Sequence, residues 1–89
     1  MIRLSLEIVN EKGLHARAAS RFVQIAMNYE SVVKIRCGDK EVNGKSIMGI
    51  MILAAAKGKL IEVSVDGRDE QEAVQKLAEL VKDGFGELV

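Results

Sequence analysis

The stretch Val32–Asn43, VVKIRCGDKEVN, decides the fold class because it has the pattern of two short strands joined by a tight turn. Apolar and charged residues alternate over Val32–Cys37, Gly38-Asp39 supplies turn residues, and Lys40–Asn43 returns as a second short strand. Strands joined by so short a turn run antiparallel. The stretch therefore predicts a β-hairpin, and with it a sheet that is at least partly antiparallel.

Two further stretches show the same alternation. Ile2–Ile8 and Leu60–Asp66 place apolar side chains at every second position, with polar or charged residues between them. This period is typical of a strand with one face on a hydrophobic core and the other in water. The sequence therefore predicts four half-buried strands.

Three segments have the period of helices instead. They are Ala16–Met27, Ser46–Leu53, and a third that opens at Asp69, where Glu72 completes a capping-box pattern, and that ends at Gly84. The predicted element order is β-α-β-β-α-β-α. Four half-polar strands and three one-sided helices are accommodated most simply by one antiparallel sheet with all helices on one face, so we predict an α+β fold.

Length and composition limit the possible functions. The 89 residues, 48% hydrophobic and 29% charged, predict one compact domain over residues 1–89. Thirteen basic and thirteen acidic residues cancel, so nucleic acid is not an expected partner. The longest uncharged apolar run, Ile47–Ala56, is too short to cross a bilayer, which takes about 20 residues, and the first residues lack a signal peptide's apolar stretch. We expect a cytoplasmic protein without membrane insertion.

The chain contains one cysteine, Cys37, and one histidine, His15. Cys37 alternates with Val33 and Ile35, so we interpret it as an ordinary buried strand residue. One histidine and one cysteine cannot form the nitrogen and sulfur ligand set typical of zinc or iron sites. We predict no metal and no other cofactor.

The segment Gly13–Ala19, GLHARAA, places the single histidine at the start of the first helix. Gly13 permits a tight turn or a positive φ, and the helix follows from Ala16. The first turn of a helix has N–H groups without intrahelical partners and carries about half a positive charge, so it attracts anions. The segment therefore predicts a phosphate site in which the His15 imidazole is a nucleophile that forms a phosphohistidine.

The neighbours of His15 support this chemistry. Arg17 has a planar guanidinium that matches two phosphoryl oxygens, which a lysine does less specifically. Ala16 and Ala18 are small, leave open space around the ring, and with Arg17 supply first-turn N–H groups to the phosphate. The alternative from the residues alone is that His15 is only a surface N-cap, which needs neither the arginine nor the space.

Over essentially its whole length the sequence resembles the histidine-containing phosphocarrier (HPr) family of the bacterial phosphoenolpyruvate-dependent phosphotransferase system. The resemblance rests on Gly13–Arg17, on Val42–Met51 (VNGKSIMGIM), and on the element order. It implies an open-faced β-sandwich with strand order 1-4-2-3. It also implies a carrier, not itself an enzyme, that accepts a phosphoryl group from enzyme I on Nδ1 of His15, with Arg17 assisting, and passes it to enzyme IIA domains for sugar uptake.

One position departs from the family pattern, since many members have proline where this sequence has Ala18. Proline in the first helical turn removes only an N–H that has no intrahelical partner. Alanine should therefore preserve the helix and add a donor near the phosphate.

Ser46 precedes the second helix, where serine is a favoured N-cap. The resemblance adds a regulatory role, because in some family members this serine is phosphorylated by a dedicated kinase/phosphorylase, which is then a further expected partner. A phosphate at a helix N-terminus is favoured by the helix dipole. The segment Asn43-Gly44-Lys45-Ser46 resembles a nucleotide-binding loop only weakly, because the earlier glycine that opens that motif is missing, and we predict no nucleotide site.

The second helix has more apolar side chains than one helical face can bury. We predict that Ile50 and Leu53 face the core, while the others stay exposed, where flexible methionines suit a surface that binds several partners. The resemblance implies a single docking face for partners, formed by Leu14, Ser20, Gln24, Met27, Ile47, Met48 and Met51.

Alternative functions remain open at this point. The first is a nitrogen-branch or purely regulatory carrier of the same family, because Gln24, Met27 and Gly49 are uncharged here, whereas some sugar-branch members are basic around these positions. The second is a non-catalytic binding domain of the same fold, which would acquire no phosphate from enzyme I and phosphoenolpyruvate. We expect the protein to be a monomer.

Overall fold

The computed structural model describes residues 1–87. These residues form four strands and three helices in the predicted order, followed by a short 3₁₀ turn at Gly84–Gly86 that the sequence did not indicate. In chain order the elements are β1 (Ile2–Glu7), α1 (Ala16–Ala26), β2 (Val32–Cys37), β3 (Lys40–Asn43), α2 (Ile47–Leu53), β4 (Leu60–Asp66) and α3 (Glu70–Lys82).

The strands form one sheet in the order β1-β4-β2-β3, with every neighbouring pair antiparallel. The register places Leu4 opposite Val63, Val63 opposite Ile35, and Ile35 opposite Val42, which is one apolar row across all four strands. The adjacent row, on the other face, is polar: Arg3, Ser64, Lys34 and Asn43. One face of the sheet thus packs on the core and the other meets water, which confirms the predicted open-faced α+β fold.

The helices cover the apolar face of the sheet. Ile50 and Leu53 of α2 are buried as predicted, with 0% and 7% of their surfaces exposed. The other two helices bury one stripe each: Ala18, Ala19, Phe22 and Ala26 from α1, and Ala73, Leu77, Ala78 and Val81 from α3. Between residues 1 and 87, no helix combines the length and the apolar character that a membrane span requires.

The predicted capping box at the start of α3 is wrong. Asp69 makes no side-chain cap bond; its carboxylate accepts instead from the N–H groups of Glu30 (2.9 Å) and Ser31 (3.1 Å) and from the Ser31 hydroxyl. The Ser31 hydroxyl bond and these N–H donors hold the pKa of Asp69 below its ordinary value. The carboxylate therefore ties α3 to the turn between α1 and β2, and the tie weakens as the pH falls through that lowered pKa.

Cys37 is half-buried rather than fully buried as predicted. It is the last residue of β2 and pairs with Lys40 beside the exposed hairpin turn, whereas Val33 and Ile35 lie further inside the sheet. The alternation indicated the correct face of the strand but not how close its end lies to solvent.

Candidate functional site

The loop before α1 is fixed by the close approach of two backbone segments. Gly13 has a φ of +63°, and a Cβ built on it would lie 2.4 Å from the carbonyl oxygen of Ala55. The Leu14 N–H donates to that same oxygen at 2.9 Å, and the Leu14 side chain is buried in the core. Only glycine fits this conformation and this contact without strain. The loop therefore delivers the next residue, His15, to the start of α1 in a fixed position.

His15 is the N-cap of α1, with extended backbone angles (φ −82°, ψ −179°). Its Nδ1 accepts a hydrogen bond from the backbone N–H of Arg17 at 3.3 Å. The first backbone bond of the helix runs from the Ala19 N–H to the His15 carbonyl at 2.9 Å, so the N–H groups of Ala16 and Ala18 precede the intrahelical ladder. The lone pair of Nδ1 thus lies at the positive end of the helix, beside backbone donors that suit phosphoryl oxygens.

The other ring nitrogen of His15 faces a carboxylate that is 72 residues away in the sequence. Nε2 is hydrogen-bonded to Oε2 of Glu87, and the Nδ2 group of Asn10 donates to Oε1 of the same carboxylate at 2.9 Å. Because Nδ1 accepts from an N–H and Glu87 offers only acceptors, the ring proton is assigned to Nε2. The His15 and Glu87 side chains are 27% and 16% exposed, so a partner can still reach the ring.

The ionisation of Glu87 follows from these contacts. Burial of the carboxylate disfavours its charge, but the hydrogen bonds from Asn10 and His15, with the nearby positive charge of Lys12, outweigh that penalty. Together they hold the pKa of Glu87 below its ordinary value. Glu87 is therefore a carboxylate at neutral pH, and a hydrogen-bond acceptor only.

Arg17 is exposed and lines a cleft beside His15. The same cleft is lined by Glu11, Lys12, Arg21, Gly86 and Glu87. Among residues 1–87 the Arg17 guanidinium makes no ion pair or side-chain hydrogen bond, whereas Arg21 donates to the carbonyl of Phe85. Arg17 is consequently the arginine of this cleft whose guanidinium no other residue of the described 1–87 engages.

Ser46 occupies the N-cap position of α2, as predicted. Its hydroxyl oxygen accepts from the N–H of Gly49 at 3.0 Å. The neighbouring Lys45 turns away from the helix start and donates through Nζ to the Tyr29 carbonyl at 2.7 Å. The lysine thus anchors this loop to the end of α1 and does not extend toward an open anion site.

The residues of the predicted docking face fall into two groups. The first group is apolar and exposed: Met27 (63% exposed) at the C-cap of α1, and Ile47 (40%), Met48 (77%) and Met51 (42%) on α2. Gln24 is also exposed and Ser20 half-buried, and α1 packs against α2, so these six residues share one side of the molecule, which we term the α1–α2 face.

Leu14 does not belong to this face. It is only 4% exposed and its side chain packs in the core, so it has no surface to offer a partner and we remove it from the docking set. Ile52, 60% exposed, adds an apolar side chain on α2 that the sequence reasoning missed.

The sequence reasoning also missed Glu87 and Asn10. Neither lies in a motif with His15, and Glu87 follows the helical pattern of α3, where no period marks it. Asn10 is a fully buried polar residue whose Nδ2 group also donates to the Gly13 carbonyl at 2.9 Å. Only the fold brings the N-terminal loop and the C-terminal turn together.

The family model for the PTS HPr component phosphorylation site matches residues 2–83 of the chain. The phosphocarrier protein HPr of Neisseria meningitidis serogroup A is 52% identical over 87 residues, which are 98% of this chain and 98% of that protein. The chain belongs to the HPr family. This membership confirms the family resemblance read from Gly13–Arg17 and Val42–Met51, and with it the class of phosphocarrier.

Solved HPr structures have the same fold. The crystal structure of HPr-C-His from Thermoanaerobacter tengcongensis superimposes with a TM-score of 0.95 at 43% identity and covers 100% of both chains. An HPr dimer from the same organism gives a TM-score of 0.78 at 44% identity, covering 98% of this chain and 100% of that one. The strand order 1-4-2-3 implied by the resemblance is the order of the sheet described above, and solved HPr structures share this overall fold.

Proposed function

We propose that the protein accepts a phosphoryl group on Nδ1 of His15 from phosphorylated enzyme I and passes it to enzyme IIA domains for sugar uptake. The observation that carries this proposal is the placement of the Nδ1 lone pair at the N-terminus of α1, beside the Arg17 N–H. An N-cap alone does not require the exposed guanidinium next to it. Family membership supports a carrier, which is consumed and regenerated stoichiometrically instead of turning over a substrate.

In the proposed step the Nδ1 lone pair attacks phosphorus, and the bond from phosphorus to the donor nitrogen of enzyme I breaks. The phosphoryl oxygens then replace His15 Nδ1 as acceptors for the Arg17 N–H and bind the N–H groups of Ala16 and Ala18. The Arg17 guanidinium adds charge-assisted hydrogen bonds to two of the oxygens. On transfer to an enzyme IIA domain, a nucleophilic side chain of that domain forms the new bond to phosphorus, and the electrons of the N–P bond return to Nδ1 of His15.

The direct test is labelling with enzyme I and phosphoenolpyruvate carrying ³²P in the phosphoryl group. We expect an acid-labile label on His15, located by mass spectrometry under alkaline conditions, that is lost when an enzyme IIA domain is added. A protein that took no label under conditions where a known HPr does would contradict the carrier function and favour a binding domain of the same fold.

Replacement of Arg17 should slow this transfer. Arg17→Lys keeps the charge but loses the two-pronged geometry, so the activation free energy should rise by about 1–3 kcal/mol, the scale of a charged hydrogen bond. Rapid-mixing transfer from enzyme I measures the effect. Arg36→Lys, on the open face of the sheet, is the matched control and should leave the rate unchanged. If Arg17→Ala transfers at the wild-type rate, Arg17 has no part in the mechanism.

Ser46 is proposed as a regulatory phosphorylation site for a serine kinase/phosphorylase. Ser46→Asp, which imitates the charge, should melt no lower than the wild type, because an anion is favoured at the N-terminus of α2. Transfer from enzyme I should nevertheless weaken, since the carboxylate lies beside the apolar Ile47, Met48 and Met51 and loses water on docking. Thermal melts and transfer kinetics on one preparation test both expectations.

Ser46→Asn is the matched control for that variant, because asparagine caps a helix about as well without adding charge. It should keep both stability and transfer. A Ser46→Asp protein that lost stability but kept full transfer would refute the docking-edge position.

The α1–α2 face is proposed as the surface that docks both enzyme I and the acceptors. It is apolar at Met27, Ile47, Met48 and Met51 and uncharged at Ser20 and Gln24, which suits partners recognised mainly through packing. We propose that the protein acts as a cytoplasmic monomer, although one relative was solved as a dimer. Offering the labelled protein to sugar-branch and nitrogen-branch acceptor domains from its own organism tests the branch.

A further inference from the structure

We propose that Glu87 is a positioning residue for the phosphoryl transfer, because it accepts the Nε2 hydrogen bond of His15 and thereby keeps the lone pair on Nδ1. This inference rests on the proposed function. Imidazole has two tautomers, and only the one protonated at Nε2 presents a nucleophilic Nδ1 to the helix N-terminus. The carboxylate faces Nε2 directly and stabilises that tautomer.

Glu87 is held in place from two sides. Asn10 is fully buried and donates both to the Gly13 carbonyl and to Oε1 of Glu87, at 2.9 Å in each case. On the other side, the Arg21 guanidinium donates to the carbonyl of Phe85, whose ring is fully buried and whose φ is +58°. The 3₁₀ turn is therefore anchored by a side chain in the core and an arginine of α1, and it presents the carboxylate to the ring.

The proton on Nε2 is needed in both directions of transfer. When Nδ1 attacks phosphorus, the ring retains the Nε2 proton and gains a positive charge. The Glu87 carboxylate stabilises that charge from hydrogen-bond distance. When the N–P bond later breaks toward an acceptor, its electrons return to Nδ1 and neutral imidazole leaves. Without the Nε2 proton the leaving group would be an imidazolate, which is a far poorer one. No proton has to move if Glu87 keeps accepting from Nε2.

Charged side chains surround the His15 ring, and among residues 1–87 only one of them contacts Nε2. Glu87 is the anion at Nε2, whereas Arg17, Lys12 and Arg21 line with it the cleft beside the ring. Glu11, the second acid of the cleft, pairs with Lys57 at 2.5 Å and does not contact the ring. Removing Glu11 therefore changes the local charge by the same amount as removing Glu87, but leaves the Nε2 bond intact. It is a matched control.

The experiment is ¹⁵N NMR of the single histidine in the unphosphorylated protein, at a pH of about 9, above the ordinary imidazole range. We expect a protonated Nε2 and an unprotonated Nδ1 in the wild type and in Glu11→Ala. In Glu87→Ala the proton on Nε2 should exchange with water about tenfold faster, as expected for loss of a charge-assisted hydrogen bond, and the tautomer protonated at Nδ1 should gain population. Glu87→Gln, which keeps an acceptor oxygen without the charge, should lie between the two.

Transfer kinetics complete the test. Glu87→Ala should lower kcat for transfer from enzyme I by about tenfold with KM for the carrier unchanged, and Glu87→Gln should recover part of that loss. A loss confined to KM, an equal effect in Glu11→Ala, or an unaltered ring spectrum in Glu87→Ala would overturn the inference. The spectrum needs no phosphate, so failure of His15 to become labelled would refute the proposed function separately.

Discussion

His15→Ala should abolish phosphorylation by enzyme I and phosphoenolpyruvate while leaving the fold intact. His15 is the only histidine in the sequence, so no other imidazole can accept the group. The side chain lies at the surface, 27% exposed, and its removal leaves no cavity in the core. The variant does lose the N-cap bond to the Arg17 N–H, and for that reason it should be less stable by about 0.5–2 kcal/mol. Labelling and urea unfolding, measured together, check both expectations.

His15→Asn separates the two roles of this residue. Asparagine is among the best N-caps and should restore the stability of α1, but its amide cannot carry a phosphoryl group. Labelling should therefore be absent in both variants, although their stabilities differ. Phosphate retained in either variant, as shown by mass spectrometry, would mean that another residue is the acceptor and that the proposed chemistry is wrong.

Gly13→Ala should have the largest effect on stability among the loop residues. The added Cβ would lie 2.4 Å from the Ala55 carbonyl oxygen, and the φ of +63° disfavours any side chain. Backbone strain and the clash together should lower the free energy of unfolding by about 2–5 kcal/mol. Because the His15 N–H and the Asn10 side chain both donate to the Gly13 carbonyl, the transfer rate should fall as well.

Gly38→Ala is the matched control for the strain alone. Gly38 has nearly the same φ, +62°, but a Cβ there meets no atom of residues 1–87 within 4 Å. Gly38→Ala should lower the free energy of unfolding only by the cost of placing a side chain on a left-handed backbone, about 1–2 kcal/mol. It should leave the transfer rate unchanged. If urea unfolding gave the two variants equal losses, the contact with Ala55 would not be what demands glycine at position 13.

Most of the fold follows from local patterns in the sequence. The alternation in Val32–Cys37 and Leu60–Asp66 predicts strands because the side-chain period of a strand is two, and the same logic identifies the apolar row through Val63. The order of the strands does not follow from such patterns, since it depends on which strands meet in space. It was available only through the resemblance to the HPr family.

In the candidate site too, local sequence patterns reveal some residues, and only the fold reveals others. His15 and Arg17 are recognisable because their chemistry depends on a spacing of two residues at a helix start. Glu87 is not, because its contact with the ring spans the whole chain. Asp69 shows the reverse case. Its spacing to Glu72 is typical of a capping box, yet its carboxylate accepts from Ser31 in the turn after α1 and makes no cap bond to its own helix.

The sheet order has a consequence for how the chain acquires its structure in time. The β2–β3 hairpin closes through a short turn and needs no other strand, so it can form within microseconds. β1 has β4 as its sheet neighbour, and β2 has β4 on its other side, so joining β1 to the hairpin requires closing a loop that runs from Glu7 to Leu60. Such non-local pairings set the slow step of folding. We therefore expect the pairing of β4 with its neighbours to be the rate-limiting step of folding. Substitutions at Val63 should then change the folding rate more than substitutions at Val42.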